Sequence, residues 1–300
     1  MRLGAIGLGR MGRLVAERAA AEHDVVGYDL DPERVAIAAE NGVKAADSVP
    51  DLLDRLGDRR HVWLMVPAGE AVDATIDDLT PHLDAADVVI DGGNSHFRDS
   101  ARRAKACPAA YLDCGTSGGP TAMDAGVSLT IGGPRDAYER LEPVFDAVAT
   151  GPEGHERVGP AGAGHYVKAI HNGIEYALMA AYGEGFELLA RGRYDLDLEA
   201  VARTWNAGAV IRSWLLGLCV EAFDREGNDL SDVTPYVAGG STGSWTVQEA
   251  IEQEVPVPLL YTALAERFAS REDRFAHRLA NWLRYGFGRH EVHRDEHRNA

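Results

Sequence analysis

The 300-residue chain is 45% hydrophobic, enough apolar material for the core of one large or two medium globular domains. Its formal charge of −17 argues against nonspecific binding to nucleic acid or to an anionic membrane, because both surfaces would be repelled. Cys107, Cys114 and Cys219 are too scattered for a disulfide framework or a zinc site, and nothing reads as a signal peptide or a membrane span, so a cytoplasmic protein with reduced thiols is expected.

The first element is a short apolar strand from Arg2 to Gly7. It runs directly into Gly7-Leu8-Gly9-Arg10-Met11-Gly12 and then into a helix whose apolar positions Leu14, Val15 and Ala19 recur at helical spacing. In such a strand, turn and helix, Gly7 permits the tight turn, Gly9 lets a pyrophosphate approach the backbone, and Gly12 lets helix and strand pack closely. The helix N-terminus adds N–H groups and positive potential. A second strand, Val25 to Tyr28, ends in Asp29, at the usual distance of about 20 residues for an acid that binds the adenosine ribose. A dinucleotide site is therefore predicted. The Asp29 carboxylate accepts hydrogen bonds from ribose hydroxyls and repels a 2′-phosphate, Leu30 and Asp31 supply no compensating cation, and Arg34 reads as a solvated helix residue. NAD is predicted over NADP.

Strand-like segments at 42–44, 61–66, 87–91 and 111–114 alternate with helical ones, the pattern of a Rossmann-type doubly wound parallel sheet. In such sheets ligands sit beyond the carboxyl ends of the strands. Three polar or glycine-rich loops fall there: Val66-Pro67-Ala68-Gly69, Gly92-Gly93-Asn94-Ser95 and Gly115-Thr116-Ser117-Gly118-Gly119. A strand at 127–131 and a helix from Arg135 complete a first domain assigned to residues 1–160.

Beyond about residue 162 strand-like alternation gives way to helical periodicity. Helices are predicted at 162–191, 198–207, 211–225, 245–254 and 259–285, giving an all-α C-terminal domain over 161–300. On the first of them Lys168, His171, Asn172 and Glu175 fall at i, i+3, i+4 and i+7 and share one side, with Tyr176 at its edge. Val167, Ile170, Ile174, Ala177, Leu178 and Ala181 gather opposite, where a core is expected. The polar stripe offers an amine able to act as a base, a carboxyl able to act as an acid, and neutral groups able to orient a substrate. Lys44, Lys105 and Lys168 are the only lysines in a chain rich in arginine, so a merely solvated face would have been built with arginine.

These residues resemble the 6-phosphogluconate dehydrogenases, within the larger β-hydroxyacid dehydrogenase group. The glycine turn and Gly164-x-x-x-Lys168-x-x-x-Asn172 are shared by the whole group. Asp91-Gly92-Gly93-Asn94-Ser95, Lys168-x-x-His171-Asn172-Gly173-Ile174-Glu175-Tyr176 and Gly243-x-Trp245-Thr246 are narrower. The resemblance implies an oxidative decarboxylation of 6-phosphogluconate to ribulose 5-phosphate, a step of the pentose phosphate pathway, with NAD as cofactor and no metal. It makes Lys168 the general base and Glu175 the general acid. His171 and Asn172 would hold substrate hydroxyls, and Ser117, Gly118 and Gly119 the carboxylate end. Asn94 would lie between substrate and nicotinamide, with Val66, Pro67 and Ala68 on the cofactor. Tyr176 and Arg267 match phosphate ligands. Arg284 and His290 match a tail that reaches into a neighbouring subunit's site, which implies a homodimer or homotetramer.

Two departures stand out. A lysine of the phosphate-binding motif is replaced by Gly240, so phosphate binding leans on Arg267, Arg284 and the hydroxyls of Ser241 and Thr242. The chain is also far shorter than the long form of the family. A 3-hydroxyacid dehydrogenase of the 3-hydroxyisobutyrate type is the alternative, keeping Lys168 and Asn172 without phosphate ligands.

Overall fold

The structure, a computed structural model, describes residues 1–119, 126–237, 242–270 and 274–292. The chain divides into two compact units, Met1–Ala169 and Ile170–Ala300.

The first unit alternates strand and helix in the order β1 (Arg2–Ile6), α1 (Arg10–Ala20), β2 (Asp24–Tyr28), α2 (Pro32–Glu40), β3 (Lys44–Ala45), α3 (Val49–Leu56), β4 (His61–Leu64), α4 (Glu70–Leu79), β5 (Val88–Asp91), α5 (Phe97–Ala106), β6 (Ala110–Ser117), β7 (Ser128–Gly132), α6 (Arg135–Val148) and β8 (His155–Gly159). The eight strands form one sheet in the order β3-β2-β1-β4-β5-β6-β7-β8. Side chains of alternate residues leave a strand on opposite faces. Leu3 and Ala5 of β1, Trp63 of β4 and Ile90 of β5 accordingly enter one core cluster, and Ile6, Val62, Leu64 and Val89 enter the other. Both faces are thus covered, which is why these strands read as continuous apolar runs.

The sheet departs from the expected pattern in two places. β7 runs antiparallel to β6, so the sheet is mixed, and β8 adds a further strand, parallel to β7, that was not predicted. The β8 sequence His155-Glu156-Arg157-Val158-Gly159 has few apolar residues because it is an edge strand, and its alternation is correspondingly weak.

Helix α7 (Ala163–Ala190) starts in the first unit and continues into the second. The second unit continues with α8 (Leu198–Gly208), α9 (Trp214–Glu226), α10 (Thr242–Glu252), α11 (Pro258–Phe268) and α12 (Phe275–Gly288). The single helix predicted over 259–285 is therefore two. Ser270 is buried, its hydroxyl donating to the Val237 carbonyl, and the polar residues after it interrupt the apolar periodicity until Phe275 begins a new buried stripe. Met179, Tyr182 and Phe186 of α7 pack with Leu216, Cys219 and Phe223 of α9 and with Leu279, Trp282 and Leu283 of α12.

The apolar side of α7 does not face a core. Val167, Ile174 and Leu178 are exposed, Ile174 to 50%, while the buried positions include Ala169, Gly173, Met179, Tyr182, Gly183 and Phe186. Periodicity identifies which residues share a face, not what covers it. Here the packed side is built from small residues: Gly173 lies against Thr246 and Gly183 against Ala276 so closely that a methyl group would collide.

Candidate active site

In the first unit, the turn between β1 and α1 has the three glycines in distinct roles. Gly7 has φ +90° and its amide donates to the Tyr28 carbonyl at 2.9 Å. A Cβ on Gly12 would lie 1.8 Å from the Gly7 carbonyl oxygen, so only hydrogen fits there. At Gly9 a Cβ would meet nothing nearer than an Arg34 guanidinium nitrogen 4.0 Å away, leaving space for a ligand beside the backbone. Helix α1 begins there without a side-chain cap, so its first N–H groups are available to an anion. These residues fit a dinucleotide pyrophosphate. Leu8 is buried, Met11 packs partly buried against the core, and Arg10 is exposed.

Asp29 joins the end of β2 to this turn. Its Oδ2 accepts from the Leu8 amide at 2.6 Å and its Oδ1 from the Asp31 amide at 2.9 Å, so the carboxylate is fixed in place with its remaining lone pairs available to hydroxyl donors. Arg34 is an exposed residue of helix α2, as expected, with two carboxylates nearby. Its guanidinium pairs with Asp29 at 3.6 Å and with Asp31 at 3.4 Å, because α2 begins at Pro32 and places position 34 over the turn. Leu30 is 91% exposed, so a longer side chain there would meet no obstacle.

The other loops at this end of the sheet follow β4, β5 and β6. Pro67 and Ala68 are exposed and Val66 half-buried, Asn94 is exposed between Gly93 and buried Ser95, and Ser117 ends β6 with Gly118 and Gly119 at positive φ beyond it. Lys168 stands over β6. A Cβ at Gly115 would come within 2.6 Å of the Lys168 Cβ and 2.8 Å of the Gly164 carbonyl, so the helix start lies directly on the strand backbone. The helix is held there by Asp113, wholly buried, whose carboxylate accepts from the backbone amides of Gly162 at 2.6 Å and His165 at 2.8 Å. Thr130 adds a hydroxyl donated to the Gly164 carbonyl at 3.1 Å, and His165 Nδ1 meets the Ser100 hydroxyl at 2.7 Å.

In the second unit α7 continues with His171, Asn172, Glu175 and Tyr176. His171 Nδ1 lies 3.1 Å from the Asn172 amide oxygen and 3.9 Å from Glu175, and the Asn172 amide donates to the Thr242 hydroxyl. The Tyr176 ring has the Arg267 guanidinium 4.4 Å above its centroid and the backbone of Gly243 against its edge, where a Cβ would come within 2.4 Å. Arg267 is only 8% exposed, and burial pushes its guanidinium below the usual arginine range. Arg284 of α12 is also lowered, to about 10, first by burial and then by the like charge of Arg267, with Tyr176 and Glu175 acting in the opposite direction. The charges acting on Arg284 include those of Arg267, Tyr176 and Glu175 of its own chain. His290 is exposed beside Phe287 and Gly288. Gly240 and Ser241 lie outside the described residues.

The glycine turn, the uncapped helix start and the acid closing β2 define a dinucleotide-binding α/β protein, here followed by an all-helical unit. A family model for the NAD binding domain of 6-phosphogluconate dehydrogenase matches residues 2–160, and one for the C-terminal domain of 6-phosphogluconate dehydrogenase matches residues 164–298. The chain belongs to the 6-phosphogluconate dehydrogenase family. It is 70% identical over 298 residues to an NAD(+)-dependent, decarboxylating 6-phosphogluconate dehydrogenase of Haloferax volcanii, covering 99% of this chain and 100% of that one. The solved 6-phosphogluconate dehydrogenase of Plasmodium falciparum superposes with a TM-score of 0.82 at 26% identity, covering 99% of this chain but 67% of that longer one. A 3-hydroxyisobutyrate dehydrogenase of Mycobacterium tuberculosis shares the fold at 23% identity, with a TM-score of 0.69 over 94% of this chain and 99% of its own.

Asp113 was not singled out from sequence, and Gly115 was named only as the start of the loop after β6. The available signal was a carboxylate inside an apolar strand, Leu112-Asp113-Cys114, which in a buried setting requires donors. Gly115→Ala is expected to displace Lys168 and lower turnover by about tenfold or more while leaving cofactor affinity near that of the parent chain. Steady-state rates combined with a direct NAD titration would measure this; undiminished turnover would show that the Gly115 contact does not position Lys168.

Proposed function

We propose that this chain catalyses the oxidative decarboxylation of 6-phosphogluconate to ribulose 5-phosphate and CO2, with residues 1–160 as the NAD-binding domain and 161–300 as the substrate and oligomerisation domain. The observation that carries the substrate is the pair of arginines: Arg267, stacked on Tyr176 and depressed by burial, and Arg284, depressed by burial and then by the like charge of Arg267. Two desolvated cations at one place are relieved by a dianion, and a phosphate ester is such a ligand. The Thr242 hydroxyl, already engaged by Asn172, stands at the start of α10 on the same cluster.

Bound NAD supplies the acceptor for the hydride that leaves C3. Lys168 takes the proton of the C3 hydroxyl, and the resulting 3-keto acid loses CO2 because the carbonyl can accept the electron pair. Protonated Lys168 then stabilises the enolate oxygen. Glu175, seven residues further along the same helix and hence about 10 Å along its axis, delivers the proton to C1. His171 and Asn172 orient hydroxyls, Asn94 lies toward the nicotinamide, and Ser117, Gly118 and Gly119 hold the carboxylate end. His290 enters this scheme only as a tail residue offered to a neighbouring copy.

The functional protein in this reading is a cytoplasmic homo-oligomer. The exposed apolar face of α7, with Val167, Ile174 and Leu178, supports it, because a second copy would remove that surface from water. Among the described residues no helix is long and apolar enough to cross a membrane.

The direct test is reduction of NAD and NADP by the purified protein with 6-phosphogluconate, gluconate and 3-hydroxyisobutyrate. Turnover with CO2 release is expected for 6-phosphogluconate and NAD, and activity confined to an unphosphorylated acid would overturn the assignment. Lys168→Ala should lower kcat by about 10²- to 10⁴-fold, the usual worth of a general base, with NAD affinity retained. Combining Asp29→Asn with Leu30→Arg should move the ratio of specificity constants toward NADP; an unmoved ratio would remove Asp29 as the discriminating group.

A pH dependence follows from Arg284. Its guanidinium is a base lowered to about 10, so it is charged below that pH and neutral above it. The value of kcat/KM for 6-phosphogluconate should therefore fall as pH rises through about 10, reporting the free enzyme. Arg284→Gln should be lower by about ten- to hundredfold at neutral pH and lack that alkaline limb. An identical limb in both proteins would assign it elsewhere.

A further inference from the structure

Arg103 of α5 is the most completely buried cation among the described residues, 2% exposed, and it has no part in the chemistry above. Its guanidinium is shared between the two loops that follow β4 and β5. Nε and Nη2 donate to the Asp73 carboxylate at 2.9 and 3.2 Å, and Nη2 also donates to the Gly69 carbonyl at 3.0 Å. Nη1 donates to the Ser95 hydroxyl oxygen at 3.2 Å and lies 3.4 Å from Asp91 Oδ2. Asp91 is wholly buried and in turn accepts from the Ser95 hydroxyl at 2.8 Å, the Tyr111 hydroxyl at 2.7 Å and the Gly93 amide at 3.1 Å. Burial disfavours the Arg103 charge, yet hydrogen bonding to Asp73 and the charges of Asp91 and Asp73 help to offset it, and the group is held above the usual arginine range.

We propose that Arg103 is a positioning residue for the dehydrogenase reaction, fixing the loop that carries Val66, Pro67 and Ala68 against the loop that carries Asn94. The inference rests on the reading that these loops face cofactor and substrate. On one side the anchor points are Gly69 and Asp73, directly after the first loop. On the other they are Gly93 and Ser95, which flank the exposed Asn94. The two loops also touch: a Cβ on Gly93 would come within 3.1 Å of the Val66 carbonyl oxygen, so a small shift of either is transmitted to the other. A planar fork with five donors can serve both loops at once, whereas an ammonium on a flexible stem serves one point. The clamp therefore sets the distance between Asn94 and the cofactor loop.

The test uses the full chain with Arg103→Lys and Ser95→Ala, measuring NAD affinity by titration without substrate, kcat and KM with 6-phosphogluconate, and the melting temperature. Arg103→Lys is expected to weaken NAD binding and lower kcat, each by about tenfold, because a misplacement well under an ångström is costly in a reacting complex. Ser95→Ala should shift both in the same direction by a smaller factor. The double variant should be no worse than Arg103→Lys alone, since both changes break one clamp. A lowered melting temperature with unchanged NAD affinity and kcat in both variants would reduce Arg103 to a structural ion pair and overturn the proposal. If Arg103→Lys fails to fold, Ser95→Ala decides alone. The NAD titration needs no sugar acid, so it reads the clamp even if the parent chain proves inactive toward 6-phosphogluconate.

Discussion

The carboxylate of Asp113, buried in β6, accepts two backbone amides at the start of α7, and the placement of Lys168 depends on that attachment. A helix start has amides with no partner inside the helix, and an anionic acceptor answers both their hydrogen-bonding need and the positive end of the helix dipole. The same attachment requires the strand and helix backbones to approach closely. That is why Gly115, Gly132 and Gly164 meet there: a Cβ on Gly132 would come within 2.8 Å of the Gly164 amide nitrogen and 2.4 Å of the Asp113 carboxylate. The group that takes the proton in the proposed reaction therefore stands on a helix start placed by a buried charge and by missing side chains.

A second constraint is the handling of positive charge in a chain with a formal charge of −17. The cations that matter are withdrawn from water in different ways. Arg103 is buried with carboxylates at hydrogen-bonding distance, which keeps it charged and makes it a fixed strut. Arg267 is buried with its guanidinium over the Tyr176 ring, Arg284 is half-buried, and both are depressed. In the proposed reaction these two are the cations that meet the substrate's anion, whereas Arg103 is already surrounded by carboxylates.

How far the site was legible varies from residue to residue. Gly7, Gly9, Gly12 and Asp29 lie close in sequence, and their roles follow from local backbone geometry, so the cofactor turn could be read directly. Lys168, His171, Asn172 and Glu175 share a helix face, which spacing alone shows. The pairing of exposed Arg34 with Asp29 was not read, because it depends on how α2 leaves the end of β2. The packing of α12 against α7 and α9 is likewise a relation no local pattern contains. β8 was missed because an edge strand needs few apolar residues, so its composition carries little periodic signal.

By itself the sequence determined most of the order of elements, apart from β8 and the break between α11 and α12, together with the dinucleotide turn with its acid and the polar stripe that carries the proposed acid and base, because each rests on local spacing. Only the tertiary structure decided which side of α7 is packed, since the apolar set Val167, Ile174 and Leu178 lies exposed while glycine and alanine make the close contacts. It also decided that Asp113 anchors Lys168 and that Arg103 joins two loops, because both depend on residues separated by tens of positions meeting in a space from which water is excluded. Pattern in a chain specifies faces. The partner of each face is chosen by the close packing of the folded interior.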